Sequence, residues 1–133
     1  MTASSSPAKY KNVLVIDDSQ MDILLMKMIL ESINYAENIN FFEQAEEAFK
    51  YLDSLDTKNK DSIPDIIFLD INMPEISGFE FLEKFKILPQ EIVKHTKFMI
   101  VSSSEDLSDV ERTRKYSNVE KYLVKPINKR ELI

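Results

Sequence analysis

The chain has no cysteine, one glycine and one histidine among its 133 residues. Without cysteine there is no disulfide, no thiolate zinc site and no Cys nucleophile, a usage that suits a reducing compartment. A single glycine, Gly78, cannot build a Walker loop or a dinucleotide-binding turn, which need several glycines for close backbone approach to phosphates. Any phosphate chemistry must then use side chains and metal. Positive charge is also scarce: 17 Lys and Arg against 23 Asp and Glu leave a net charge of −6. Such a chain has no electrostatic footprint for nucleic acid or for anionic membrane surfaces. No apolar run approaches the roughly 20 residues of a membrane span. The start, Met1-Thr2-Ala3-Ser4-Ser5-Ser6-Pro7, lacks the apolar stretch of a secretory signal. The expectation is a cytoplasmic protein that binds neither nucleic acid nor membrane, with residues 1–10 as a flexible leader.

What is present is one domain's worth of chain with 44% apolar residues, enough for one core. Short apolar runs alternate with helical patterns, which predicts an α/β fold with a parallel sheet. The runs are Val13-Leu14-Val15-Ile16, Ile39-Asn40-Phe41-Phe42, Ile66-Ile67-Phe68-Leu69, Phe98-Met99-Ile100-Val101 and Tyr122-Leu123-Val124. Most are apolar throughout, as strands covered on both faces are. The spacing predicts a helix from a Ser19 cap to about Ile33, with Ile23, Met26, Ile29, Leu30 and Ile33 on one side. Others are expected over about Ala45 to Leu55, after Gly78 as far as Pro89, and over about Leu107 to Tyr116, with a last one opening near Asn128. Asp56 to Ile63 reads as a polar loop. Ile87 to Lys97 reads as an irregular stretch or a broken continuation of the third helix.

The residues after each strand carry the chemistry. The first run ends in Asp17-Asp18, the third in Asp70, the fourth in Ser102 and the last in Lys125-Pro126. In open α/β sheets, ligands bind outside the carboxyl ends of the strands. Singly, each residue has a plain use: Asp18-Ser19 and Ser102 as helix caps, Asp70 as a turn opener, Lys125 as a solvated charge. Together, three carboxylates on one sheet edge repel unless positive charge joins them. Lys125 offsets one, leaving room for a divalent cation. Hard oxygen ligands without Cys or a nearby His favour Mg²⁺, with Mn²⁺ able to substitute.

Asp17-Asp18, then Asp70-Ile71-Asn72-Met73-Pro74-Glu75-Ile76-Ser77-Gly78, Ser102, and Tyr122 with Lys125-Pro126 resemble the receiver domain of two-component response regulators. The resemblance runs from Lys11 to Leu132. It implies a flavodoxin-like (βα)5 fold over 11–133: a doubly wound, five-stranded parallel sheet of order 2-1-3-4-5, known from the family rather than read from the sequence. It also implies roles. Asp70 is the phosphoacceptor, taking its group from a histidine kinase or phosphotransfer protein. Asp18, Asp70 and the Asn72 backbone carbonyl ligate the metal, and Asp17 acts mainly through water. Lys125 pairs with the phosphoryl oxygens and Ser102 donates to them. Tyr122 moves into the space that Ser102 vacates, switching contacts with a downstream protein that the sequence does not name. The Lys125–Pro126 bond is expected to be cis. The chain is then a phosphoacceptor rather than a classical enzyme, a monomer or weak homodimer. It is either stand-alone or a piece of a longer regulator.

Two departures stand out. Ser102 lacks the methyl of the Thr also common there, and the last helix is expected to be short. Two other readings compete. One is a degenerate receiver that only binds proteins. The other is an aspartyl-nucleophile phosphatase, which needs an acid where Asn72 stands. His95 is read as a surface or hydrogen-bonded residue, and Met21, Met26 and Met28 as core filling or ordinary exposure. Ser103 and Ser104 are loop residues, and the resemblance gives Ser104 a part in tuning water access.

Overall fold

The computed structural model describes residues 7–133. Most of the expected leader, residues 1–6, lies outside them. Its far end is corrected by the structure, because Tyr10 already opens the first strand. The sheet is built from β1 (Tyr10–Ile16), β2 (Ala36–Phe42), β3 (Ile66–Asp70), β4 (Lys97–Ser102) and β5 (Val119–Val124). All pairings are parallel and the order is β2-β1-β3-β4-β5. Between the strands run α1 (Gln20–Ser32), α2 (Ala45–Asp53), α3 (Gly78–Phe85), α4 (Gln90–His95) and α5 (Leu107–Thr113). The last segment is a single 3-10 turn, Lys129–Glu131, capped by Asn128.

Side chains alternate across the pleat, and both faces are apolar. Leu14, Ile16, Ile67, Leu69, Phe98 and Ile100 point to one face, where α2, α3 and α4 cover them with Leu52, Phe79, Leu82, Phe85 and Ile92. Val13, Val15, Ile66, Phe68, Met99 and Val101 point to the other, under Met26 and Leu30 of α1. Every residue of β3 is buried. The edge strands β2 and β5 are mostly half-buried or exposed, which is why their runs are less uniformly apolar.

Local chemistry sets the boundaries. Ser19 caps α1 by accepting from the Asp22 N–H. At the other end of α1, the Asn34 N–H donates to the Glu31 carbonyl and the Tyr35 N–H to the Leu30 carbonyl. This paired closure needs a left-handed residue, and Asn34 supplies it at φ 50°. Ser77 caps α3. The stretch Ile87 to Lys97 is not irregular: it holds α4, a separate helix that begins after Pro89. Proline cannot continue a helix that needs its N–H, but it suits an entry position. Only Met26 and Leu30 of α1 are fully buried; Met21, Leu24, Leu25 and Met28 face outward.

Candidate functional site

Strand register gathers the site. Ile16 is level with Leu69, so Asp17 and Asp70 leave the sheet side by side. Asp70 is level with Val101, and Ser102 with Val124, which brings Ser102 and Lys125 to the same edge. The chain after Asp70 is held close by the one glycine. A Cβ on Gly78 would lie 2.6 Å from the Ile71 Cα, and the Gly78 N–H donates to the Ile71 carbonyl at 3.1 Å. Only glycine fits that approach.

Asp17 and Asp70 are 5% exposed, whereas Asp18 is open to solvent. One carboxylate oxygen from each of Asp17, Asp18 and Asp70 lies within 4.8 Å of the others. The Lys125 ammonium sits among carboxylates, donating to Asp22 at 2.7 Å, Asp17 at 2.9 Å and Asp70 at 3.3 Å. Asp17 also accepts from the Ser19 N–H, and Asp70 from the Asn72 N–H, each at 2.9 Å. The Lys125–Pro126 peptide is cis.

Burial is the largest influence on Asp70. It pushes the carboxyl up to about 6, with the Asp17 charge adding to it while the Asn72 N–H and Lys125 pull the other way. Burial alone would lower Lys125, but hydrogen bonds to Asp22 and Asp17 and the charges of Asp70 and Asp17 outweigh it and hold the ammonium above its usual range. Lys125 is therefore a fixed cation at neutral pH, while Asp70 is under strain from its neighbours.

Ser102 is fully buried. Its hydroxyl accepts from the Asn72 side-chain amide and from the Ser104 N–H, both at 3.0 Å. Tyr122 is half-buried and donates to the Ser104 carbonyl at 2.9 Å. Ser102, Asn72, Ser104 and Tyr122 thus form one chain of contacts leading from the acid cluster to β5. The Asn72 amide cannot supply the proton that a phosphatase would need there.

His95 lies at the opposite end of the sheet, 2.7 Å from Asp65. Glu43, the polar end of β2, meets only exposed Gln20 among its hydrogen-bond partners. Sequence reasoning missed Asp22. The available signal was its place three residues after the Ser19 cap, in the first turn of α1, which stands over the strand ends. It reads there as an ordinary acidic first-turn residue.

The donor set fits a hard divalent cation: three carboxylate oxygens, two of them from buried residues, gathered at the carboxyl end of the sheet around a single lysine. Comparisons with known proteins place the chain in a family. A family model described as "Response regulator receiver domain" matches residues 13–133. The polar-differentiation response regulator DivK of Brucella ovis is 29% identical over 118 residues, covering 89% of this chain and 86% of that protein. The two-component response regulator ORR1 of rice, Oryza sativa subsp. japonica, is 26% identical over 122 residues, and this chain spans about half (51%) of its length. The crystal structure of a two component response regulator from Cytophaga hutchinsonii superposes with a TM-score of 0.84 at 30% identity, covering 93% of this chain and 92% of that one.

Proposed function

This chain belongs to the response regulator receiver family, and from that premise we propose that it is a phosphorylation switch whose acceptor is Asp70. The observation that carries this reading is the Lys125 ammonium seated between Asp17 and Asp70 at the strand ends, with Asp18 within reach of both. Paired charges of this kind make a nucleophilic carboxylate that an incoming anion can approach. The acceptor oxygen of Asp70 forms its bond to phosphorus as the P–N bond of a donor phosphohistidine breaks. Asp17, Asp18, Asp70 and the Asn72 carbonyl would hold Mg²⁺, with Mn²⁺ as a substitute. The bound cation supplies charge neutralisation at the acceptor and the transferring oxygens.

The rest of the chemistry belongs to the side chains. A phosphoryl group brings about −1.5 to −2 charges and three strong acceptors. Lys125 turns part of its hydrogen bonding to it, and Ser102 exchanges its acceptor role towards Asn72 for a donor role. Charge-assisted bonds of this type contribute on the order of 1.5–3 kcal/mol each, enough to bias a two-state loop. Ser102 is tied to Ser104, and Ser104 to Tyr122. Movement at the acid cluster therefore reaches β5 through direct contacts, with Tyr122 as the switch. The reading extends to a receiver spanning 11–133, acting in the cytoplasm as a monomer or weak homodimer and as a phosphoacceptor rather than an enzyme. A histidine kinase or phosphotransfer protein serves as its donor. Outward-facing Met21, Leu24, Leu25 and Met28 of α1 lie one helix turn apart beside the acid cluster and give such a donor an apolar footing.

The test is intact-mass spectrometry after incubation with acetyl phosphate and Mg²⁺. The native protein gains one phosphoryl group and Asp70→Asn gains none. A native protein that keeps its fold and its mass would refute the proposal and leave a protein-binding module in its place.

A further inference from the structure

The Lys125 ammonium has three N–H donors, and three carboxylates take them. The shortest bond, 2.7 Å, goes to Asp22; the longest, 3.3 Å, goes to Asp70. Asp22 stands apart from the other two. Its oxygens are not part of the close acid cluster of Asp17, Asp18 and Asp70. Its side chain is 34% exposed, against 7% and 6% for Asp17 and Asp70. It comes from α1 rather than from a strand end, and its backbone is fixed by the Ser19 cap. A group so placed draws the ammonium towards α1, away from the acceptor, and can release it into water more cheaply than the buried pair can.

We propose that Asp22 is a positioning residue for phosphoryl transfer: it takes the shortest of the Lys125 hydrogen bonds in the unmodified protein, leaving Asp70 the longest, and gives the lysine up when the phosphoryl group arrives. This rests on the reading of Asp70 as the phosphoacceptor. Two opposed effects follow. By taking a share of the lysine, Asp22 leaves Asp17 and Asp70 less committed to it than two acids alone would be, so Asp22 favours metal binding. The same bond must be broken before Lys125 can turn to a phosphoryl oxygen, so Asp22 slows uptake once the cation is bound.

The experiment compares native protein, Asp22→Asn, Asp22→Glu and Glu43→Gln. Glu43 is a nearby exposed acid with no bond to Lys125 among its hydrogen-bond partners, so it reports loss of charge alone. Two quantities are read: the Mg²⁺ dissociation constant of the unmodified protein by calorimetry, and the rate of acetyl phosphate uptake at saturating Mg²⁺ by intact mass. Asp22→Asn is expected to weaken Mg²⁺ binding about fivefold and to speed saturated uptake by a similar factor, the scale of a half-exposed ion pair. Asp22→Glu, whose longer carboxylate still reaches Nζ, returns both towards native, and Glu43→Gln moves neither by more than about twofold. A role confined to the α1 N-terminus would lower the melting temperature without moving the two constants in opposite directions. Any pattern in Asp22→Asn other than opposite movement, or an equal response in Glu43→Gln, overturns the proposal. A native protein that takes up no phosphoryl group sinks the acceptor reading and this inference with it; native uptake matched by Asp22→Asn sinks this inference alone.

Discussion

Asp65 and Asp70 stand at opposite ends of the same strand region, and they lead different lives. The Asp65 carboxylate accepts from the backbone N–H groups of Lys11 and Asn12 and contacts the His95 ring. Its side chain is 24% exposed, and no second carboxylate is among its hydrogen-bond and ion-pair partners. The Asp70 side chain is 6% exposed, has one backbone N–H for a partner, shares its lysine with two other acids and is crowded by Asp17. One aspartate is satisfied by the fold and stitches β1 to β3. The other is held in a state that the fold alone does not relieve. Among the described residues, the three carboxylates close enough to share a cation lie at the carboxyl end of the sheet.

The largest effect expected from this contrast comes from removing the basic side chain that meets the carboxylate at each end. Lys125→Ala leaves buried carboxylates without their cationic partner and should cost about 3 kcal/mol in metal-free urea melts at pH 7. His95→Ala breaks a more open contact and should cost under about 1 kcal/mol. Equal losses would erase the distinction. Next comes Gly78→Ala. The added methyl meets backbone at Ile71 and has nowhere to go, so a loss of about 2 kcal/mol is expected, along with slower phosphoryl uptake because the Asp70 loop must shift. A variant as stable and as reactive as native would show that the close approach is dispensable.

A smaller effect follows from burial of Asp70. Its carboxyl titrates near 6 when folded, against an ordinary 3.8. Between those values the folded protein holds a proton that the unfolded chain has lost. The stability this contributes is complete at pH below the ordinary value and is lost as pH rises through about 6. Asp70→Asn should therefore be more stable than native at pH 7 without metal, by on the order of 1 kcal/mol after the lost Lys125 contact is set against it. The gap should close towards pH 4. A gap that is constant with pH would place its origin elsewhere.

Much of this architecture can be read from the sequence. Three apolar runs, in β1, β3 and β4, are buried on both faces, and the polar residues that end these runs and β5 announce the edge where Asp17, Asp70, Ser102 and Lys125 meet. What escapes reading has physical causes. The helix Gln90–His95 is too short for periodicity to declare itself, and Pro89 before it reads as an end rather than a beginning. The first residues of β1, Tyr10 to Asn12, are partly exposed and polar, and their pairing with Asp65 depends on a residue over fifty positions away. Asp22 is indistinguishable in sequence from an acid favoured by the helix dipole. Only the folded chain brings Lys125, 103 positions later, on to it.

The central claim is that crowded anions at the Asp70 end are relieved by a divalent cation, while the Asp65 end needs none. The direct measurement is the urea midpoint at pH 7 as Mg²⁺ is raised. Native protein and Asp65→Asn should both gain stability, reaching about 1.4 kcal/mol at ten times the dissociation constant, while Asp18→Asn and Asp70→Asn should gain much less. A native midpoint indifferent to Mg²⁺, or a full gain retained in Asp70→Asn, would contradict the account.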